Sequence, residues 1–140
     1  MIERFSGKSA AFGLAVSLLF STGSTKALAE RVSEPVAEFT GIDKITGRII
    51  TFDVYIDETV QFGALQVTPR ICNFRPEEES PGTTTFVEVD EITLDRKIRR
   101  IFTGWMFAES PGLSAVEHPV YDVWLKACKA KSDVPPPKKG

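Results

Sequence analysis

The chain has 140 residues, 42% of them hydrophobic and 26% charged, with a formal net charge of −2. One domain fits that length, and an acidic balance argues against a nucleic-acid partner, which calls for a basic face. A single histidine and two cysteines leave few soft ligands for a zinc site.

The N-terminus reads as a targeting segment. Arg4 and Lys8 give a basic start, residues 10–20 are an apolar run, and residues 21–29 are small and mildly polar. Ala27-Leu28-Ala29 is the small-x-small pattern that a signal peptidase accepts, so residues 1–29 are expected to be a signal peptide cleaved after Ala29. The apolar run falls short of the roughly 20 residues a spanning helix needs, although a retained N-terminal anchor is the alternative. The expected location is the periplasm. Residues 30–140 then carry 14 Lys and Arg against 18 Asp and Glu, a net charge of −4.

Cys72 and Cys128 would meet an oxidising compartment and are expected to pair. Closing a loop of that length is worth about 4 kcal/mol in the chain-entropy description. Two buried free thiols are the alternative. A redox pair is disfavoured because no Cys-x-x-Cys spacing occurs.

Taken in order, residues 30–41 have mixed polarity, with Pro35 as a breaker, and read as a flexible leader. A single β domain is expected over residues 42–129. Ile50, Phe52, Val54 and Ile56 alternate with Thr51, Asp53 and Tyr55, the period of a half-buried strand. Ile45 and Ile49 have the opposite parity, so Gly47 between them is expected to turn or bulge. After a turn at residues 57–59, residues 60–74 read as one return strand. Pro69 within it implies an edge position or an interruption.

Residues 76–83 form a loop with three consecutive glutamates, Glu77 to Glu79, best read as solvated; a calcium loop would alternate its ligands. Residues 84–89 are a strand with residues 90–94 as its candidate extension, Asp95-Arg96-Lys97 turns the chain, and residues 98–107 return. Ser110-Pro111 resembles a capped helix start and His118-Pro119 ends it. Residues 120–128 are the last strand. The end of the chain, residues 130–140, is rich in lysine and proline and is expected to be a disordered tail. Lys129, Lys131, Lys138 and Lys139 make it a candidate for contact with an anionic surface. The sum is an all-β protein: a small antiparallel sandwich or barrel with one short helical turn and one disulfide.

Candidates for chemistry are few. His118 with Asp122 is a weak catalytic pair, and Ser110 is the nearest hydroxyl in sequence. Glu109 with Glu117 or Asp122 has the makings of a glycosidase pair. Neither metal nor cofactor is expected. The aromatics Trp105, Phe107, Tyr121 and Trp124 fall within 20 residues, and Trp105 and Phe107 share one strand face. They read either as the core of the domain or as an exposed platform for a sugar ring or a peptide.

Several strings resemble a known family. Asp43-Lys44-Ile45-Thr46-Gly47-Arg48, Phe62-Gly63-x-Leu65, Cys72, Phe102-x-Gly104-Trp105-Met106-Phe107, Ser110-Pro111-Gly112-Leu113 and Glu117-His118-Pro119-Val120-Tyr121-Asp122-Val123-Trp124 are similar to domain of unknown function 2155. Its members are small exported proteins typical of alphaproteobacteria. The resemblance covers roughly residues 42–129 and implies a gram-negative envelope, but no activity. The leading expectation is therefore a non-enzymatic periplasmic interaction or scaffold protein, partnered by an unidentified envelope protein or glycan. The runner-up is a glycan or peptidoglycan-binding module using Trp105, Tyr121 and Trp124, and the third is a small hydrolase centred on His118.

Overall fold

The computed structural model of the protein describes residues 31–76 and 82–137. Among these residues, nine strands are arranged in two antiparallel sheets. They are β1 (Val32–Ser33), β2 (Val36–Asp43), β3 (Arg48–Tyr55), β4 (Val60–Phe62), β5 (Leu65–Arg75), β6 (Gly82–Ile92), β7 (Ile98–Phe107), β8 (Val116–Glu117) and β9 (Tyr121–Lys129). One sheet runs β1-β5-β6-β7, with β4 also on β5; the other runs β3-β2-β9-β8. The segment expected to be a signal peptide and the glutamate run Glu77 to Glu79 lie outside the described residues.

Period-2 alternation builds the core. In β6, Thr83, Thr85, Val87 and Val89 are buried, while Thr84, Phe86 and Glu88 between them are only partly covered. Facing them from the other sheet are Phe39 on β2, Val54 on β3, and Val123 and Leu125 on β9, all at 1% exposure or less. Phe52 stacks between Phe39 and Phe62, with ring centroids 5.9 and 5.5 Å away. Cys72 on β5 and Cys128 on β9 are joined, Cα to Cα 5.7 Å, so the bridge staples one sheet to the other. Of the sandwich or barrel expected from the sequence, two facing antiparallel sheets are the form observed.

The expected leader is the largest correction. Residues 36–43 form β2, which pairs with β3 on one side and β9 on the other. Val36, Ala37 and Phe39 are fully buried, so Pro35 precedes a central strand instead of breaking a loose one. The return strand is also two strands. Gly63, at φ +56°, turns the chain between β4 and β5, and its pro-chiral hydrogen faces the Tyr121 ring. Pro69 does interrupt: the β5–β6 register shifts between Pro69 and Ile71.

Ser110 makes no side-chain cap, and the helix is one 3-10 turn, Pro111–Leu113. The tail is not free along its first part. Ser132 Oγ donates to Asp53 Oδ2 at 2.5 Å, and Tyr55 Oη donates to the Val134 carbonyl at 2.6 Å. Lys129 sits 2.9 Å from Glu38 and 2.7 Å from Asp53, so it is committed to internal ion pairs and not to an outside anion. Lys131 is exposed; Lys138 and Lys139 lie outside the described residues.

Candidate functional site: an aromatic cleft on the five-stranded sheet

The four aromatics expected as one group are in three places. Trp105 and Phe107 lie on the outer face of the five-stranded sheet, 42% and 39% exposed. They are not core. Trp124 is half-buried on the other sheet, opposite Thr40. Tyr121 turns inward at the end of β9, its ring edge-on to Phe62 at 5.5 Å and tilted against His118 at 5.5 Å. A platform of Trp105, Tyr121 and Trp124 is therefore not formed.

Register assembles a different set around Trp105. Pairing of β6 with β7 sets Phe86 opposite Trp105 and Thr84 opposite Phe107; pairing of β5 with β6 adds Asn73 beside Thr84 and Arg75 beside Gly82. Phe86 braces the indole edge-on, with centroids 5.4 Å apart. Arg31, Asn73, Arg75, Thr84, Trp105 and Phe107 line an open cleft of about 350 Å³, with Phe86 outside the lining as a brace for the indole; this is at the small end of ligand pockets, which span about 300–1,000 Å³.

Asn73 is the informative member. It is 7% exposed, and its Oδ1 accepts from Ser33 Oγ at 3.1 Å. That bond orients the amide and leaves Nδ2 as a donor with no hydrogen bond among the described residues. Arg31 and Arg75 form no ion pair among the described residues. The cleft thus offers an aromatic wall, an oriented amide donor and two guanidinium groups. None of Arg31, Asn73, Arg75 or Phe86 was picked out from the sequence. Phe86 was accessible from parity alone, since it alternates with Thr85 and Val87; the others needed the cross-strand register.

His118 is the second site expected from the sequence. The Val120 N–H donates to its Nδ1 at 3.0 Å, so the proton sits on Nε2, which donates to Glu91 Oε1 at 3.0 Å. Both ring nitrogens are used, and the ring ties the β8–β9 connection to β6. Hydrogen bonding from His118, then from Arg99, holds the Glu91 carboxyl below its ordinary range despite some desolvation. Asp122 does not orient the ring; it pairs with Lys44 at 2.9 Å.

The nucleophile is far away. Ser110 follows the end of β7 that pairs near Thr83, whereas His118 contacts Glu91, about 27 Å along β6 at ~3.4 Å per residue. Glu109 accepts from the Thr83 N–H at 2.8 Å, so it too is separated from Glu117 and Asp122. The dyads and carboxylate pairs suggested by sequence are not assembled. Among the described residues no three His, Cys, Asp or Glu side chains are grouped as a metal site, and no helix is long and apolar enough to cross a membrane.

Comparison with known proteins adds no activity. An uncharacterized protein of Rickettsia prowazekii (strain Madrid E) is 25% identical over 87 residues, which is 62% of this chain and 56% of the relative. The chain therefore spans little more than half the length of that relative. No solved structure matches. The profile of a family described as "Uncharacterized protein conserved in bacteria (DUF2155)" matches residues 37–128, from β2 to the second cysteine, and the chain belongs to that family.

Proposed function

We propose that the protein is a non-catalytic component of the cell envelope, working in the periplasm after loss of residues 1–29, and that it binds an acidic carbohydrate unit in the Trp105 cleft. The observation that carries this reading is Asn73: a buried amide, fixed by Ser33, with its N–H donors left for a ligand beside an exposed indole. A pyranose presents a C–H face suited to the indole and hydroxyls suited to the amide. A carboxylate on the sugar suits Arg31 and Arg75, whose planar forks donate to it bidentately. The absence of an assembled nucleophile at His118 favours binding over hydrolysis.

Calorimetry with two soluble disaccharides tests it. The first is N-acetylglucosamine joined to N-acetylmuramic acid; the second is chitobiose, which lacks the lactyl carboxylate. The acidic sugar should bind more tightly, Trp105→Ala should abolish binding of both, and Arg75→Gln should remove the preference. Failure of both sugars to bind, or binding unaffected by Trp105→Ala, rejects the reading.

A second reading rests on the backbone. The Ala108 N–H donates to the Thr83 carbonyl at 3.0 Å, so in β7 the alternate residues Met106 and Gly104 face β6. Thr103, Trp105 and Phe107 then present their backbone groups at the open edge, where an extended peptide can add as a strand. Cross-linking from position 105 to an envelope protein, without sugar binding, favours this scaffold role.

A further inference from the structure

The end of the sandwich away from the cleft carries a separate surface. The β2–β3 and β6–β7 turns meet there: Ile45 of the first and Leu94 of the second line one hollow with Pro119 and Val120. Both tips are uncovered. Ile45 is 77% exposed and Leu94 fully exposed, with Ile49 and Ile98 on the adjoining strands at 63% and 64%. Four aliphatic side chains standing in water at one end of a small domain call for an occupant.

The turns that carry them are built to project. Asp43 Oδ1 accepts from the N–H groups of Ile45 and Thr46 at 2.9 and 3.2 Å, and Gly47 reverses the chain at φ +72°. Thr93 Oγ1 accepts from the Lys97 N–H at 3.1 Å, and Arg96 takes φ +62°. Each turn closes on its own backbone, so neither aliphatic residue folds back onto the body.

The two tips are richer in cations than the surface behind them. Residues 43–49 and 93–99 hold five basic residues (Lys44, Arg48, Arg96, Lys97 and Arg99) against Asp43 and Asp95; Glu91, Glu117 and Asp122 behind the tips bring this end to neutral, within a body, residues 30–128, that is at −7. Lys44, Lys97 and Arg99 have partners in Asp122, Asp95 and Glu91, while Arg48 and Arg96 form no ion pair among the described residues. Glu117 lines the hollow behind the tips.

We propose that this end docks on an anionic lipid surface, with Ile45 and Leu94 entering the boundary between headgroups and acyl chains. Arg48, Arg96 and Lys97 then lie at the level of the lipid phosphates. Two projecting aliphatic tips ringed by cations match a bilayer interface, where apolar insertion and attraction to anionic headgroups add. The inference does not depend on what the Trp105 cleft binds.

Sedimentation of residues 30–140 with vesicles tests it. The protein should pellet with phosphatidylcholine vesicles containing phosphatidylglycerol, and much less with phosphatidylcholine alone. Ile45→Ser with Leu94→Ser should weaken binding at least about tenfold. Arg48→Gln and Arg96→Gln should each weaken it about fivefold, an effect that shrinks as salt is raised. All four positions are exposed, so the variants should melt like the wild type. Depth is read from Leu94→Trp, which should gain emission quenched by brominated lipid beyond that of the two native tryptophans. No pelleting of the wild type overturns the proposal, as does equal pelleting of the Ser double variant. Loss of a protein partner through the same substitutions, without lipid binding, also overturns it and reassigns the tips to a protein contact.

Discussion

Trp105 and His118 both drew attention in the sequence, and their surroundings give them opposite roles. Trp105 is held from one side by Phe86 and open on the other, so truncating it removes an edge-to-face contact and part of its packing. Trp105→Ala should lower stability by about 1–2 kcal/mol without unfolding the protein, while ligand binding is lost. Denaturant unfolding of the variant checks the first half. His118 is the reverse, a ring with both nitrogens committed inside the fold. His118→Gln should lower stability by about 1 kcal/mol, the scale of one net hydrogen bond, and leave the cleft's binding unchanged. The pair also has a pH signature. The folded carboxyl of Glu91 lies below its ordinary value of 4.5, chiefly through His118 and then Arg99. Its contribution is therefore complete above that value and is lost as pH falls through the lower, folded one. Melting temperatures measured from neutral pH down into the acid range should show that loss, and Glu91→Gln should flatten it. An unchanged acid profile in Glu91→Gln would place the sensitivity elsewhere, with Asp53 next to examine. There burial works to raise the carboxyl, but hydrogen bonds from Lys129 and Ser132 outweigh it and hold it low.

Strands were legible where periodicity was clean and illegible where burial was two-sided. Ile50, Phe52, Val54 and Ile56 alternate; the first three lie in β3, and Ile56 follows its last residue. β2 has no alternation to read: Val36 and Ala37 are buried in succession, and so are Phe39 and Thr40, because the strand is central and covered on both faces. Mixed polarity was mistaken for looseness. Deleting residues 30–41 should therefore prevent folding altogether, seen as loss of dispersed amide resonances, rather than trim a leader. The split of β4 from β5 had a sequence signal in Gly63 that the apolar run around it masked. Two glycines separate conformation from contact. Gly47→Ala meets only its positive φ, with nothing within 4 Å of the new methyl, and should cost about 1–2 kcal/mol. Gly63→Ala has a similar φ and also drives a methyl into the Tyr121 ring. It should cost at least about 2 kcal/mol more than the first substitution or fail to fold. Equal losses in the two would mean that Tyr121 yields without cost.

At the scale of the molecule, one covalent link and two separated surfaces define the protein. The bridge joins β5 to β9, hence sheet to sheet, across a separation of 56 residues. Reduction should lower stability by about 4 kcal/mol by the chain-entropy argument, and intact mass without reductant should fall short of the thiol form by two hydrogens. Pairing was legible from an even cysteine count behind a sequence that reads as a signal peptide, and so was the all-β class. The Trp105 cleft was not, because Arg31, Asn73, Phe86 and Trp105 come from four strands or their flanks and meet only through register. The tail was read as free because composition does not reveal that Asp53 and Tyr55 on β3 hold Ser132 and Val134. The most direct measurement is amide and side-chain proton–nitrogen NMR on the oxidised mature protein, titrated with the N-acetylmuramic acid disaccharide. The Trp105 indole, the Asn73 side-chain amide and the guanidinium signals of Arg31 and Arg75 should shift together and saturably, leaving Trp124 and the His118 ring in place. Shifts confined to the His118 hollow, or no saturable shift at Trp105 and Asn73, would contradict a carbohydrate site on the five-stranded sheet.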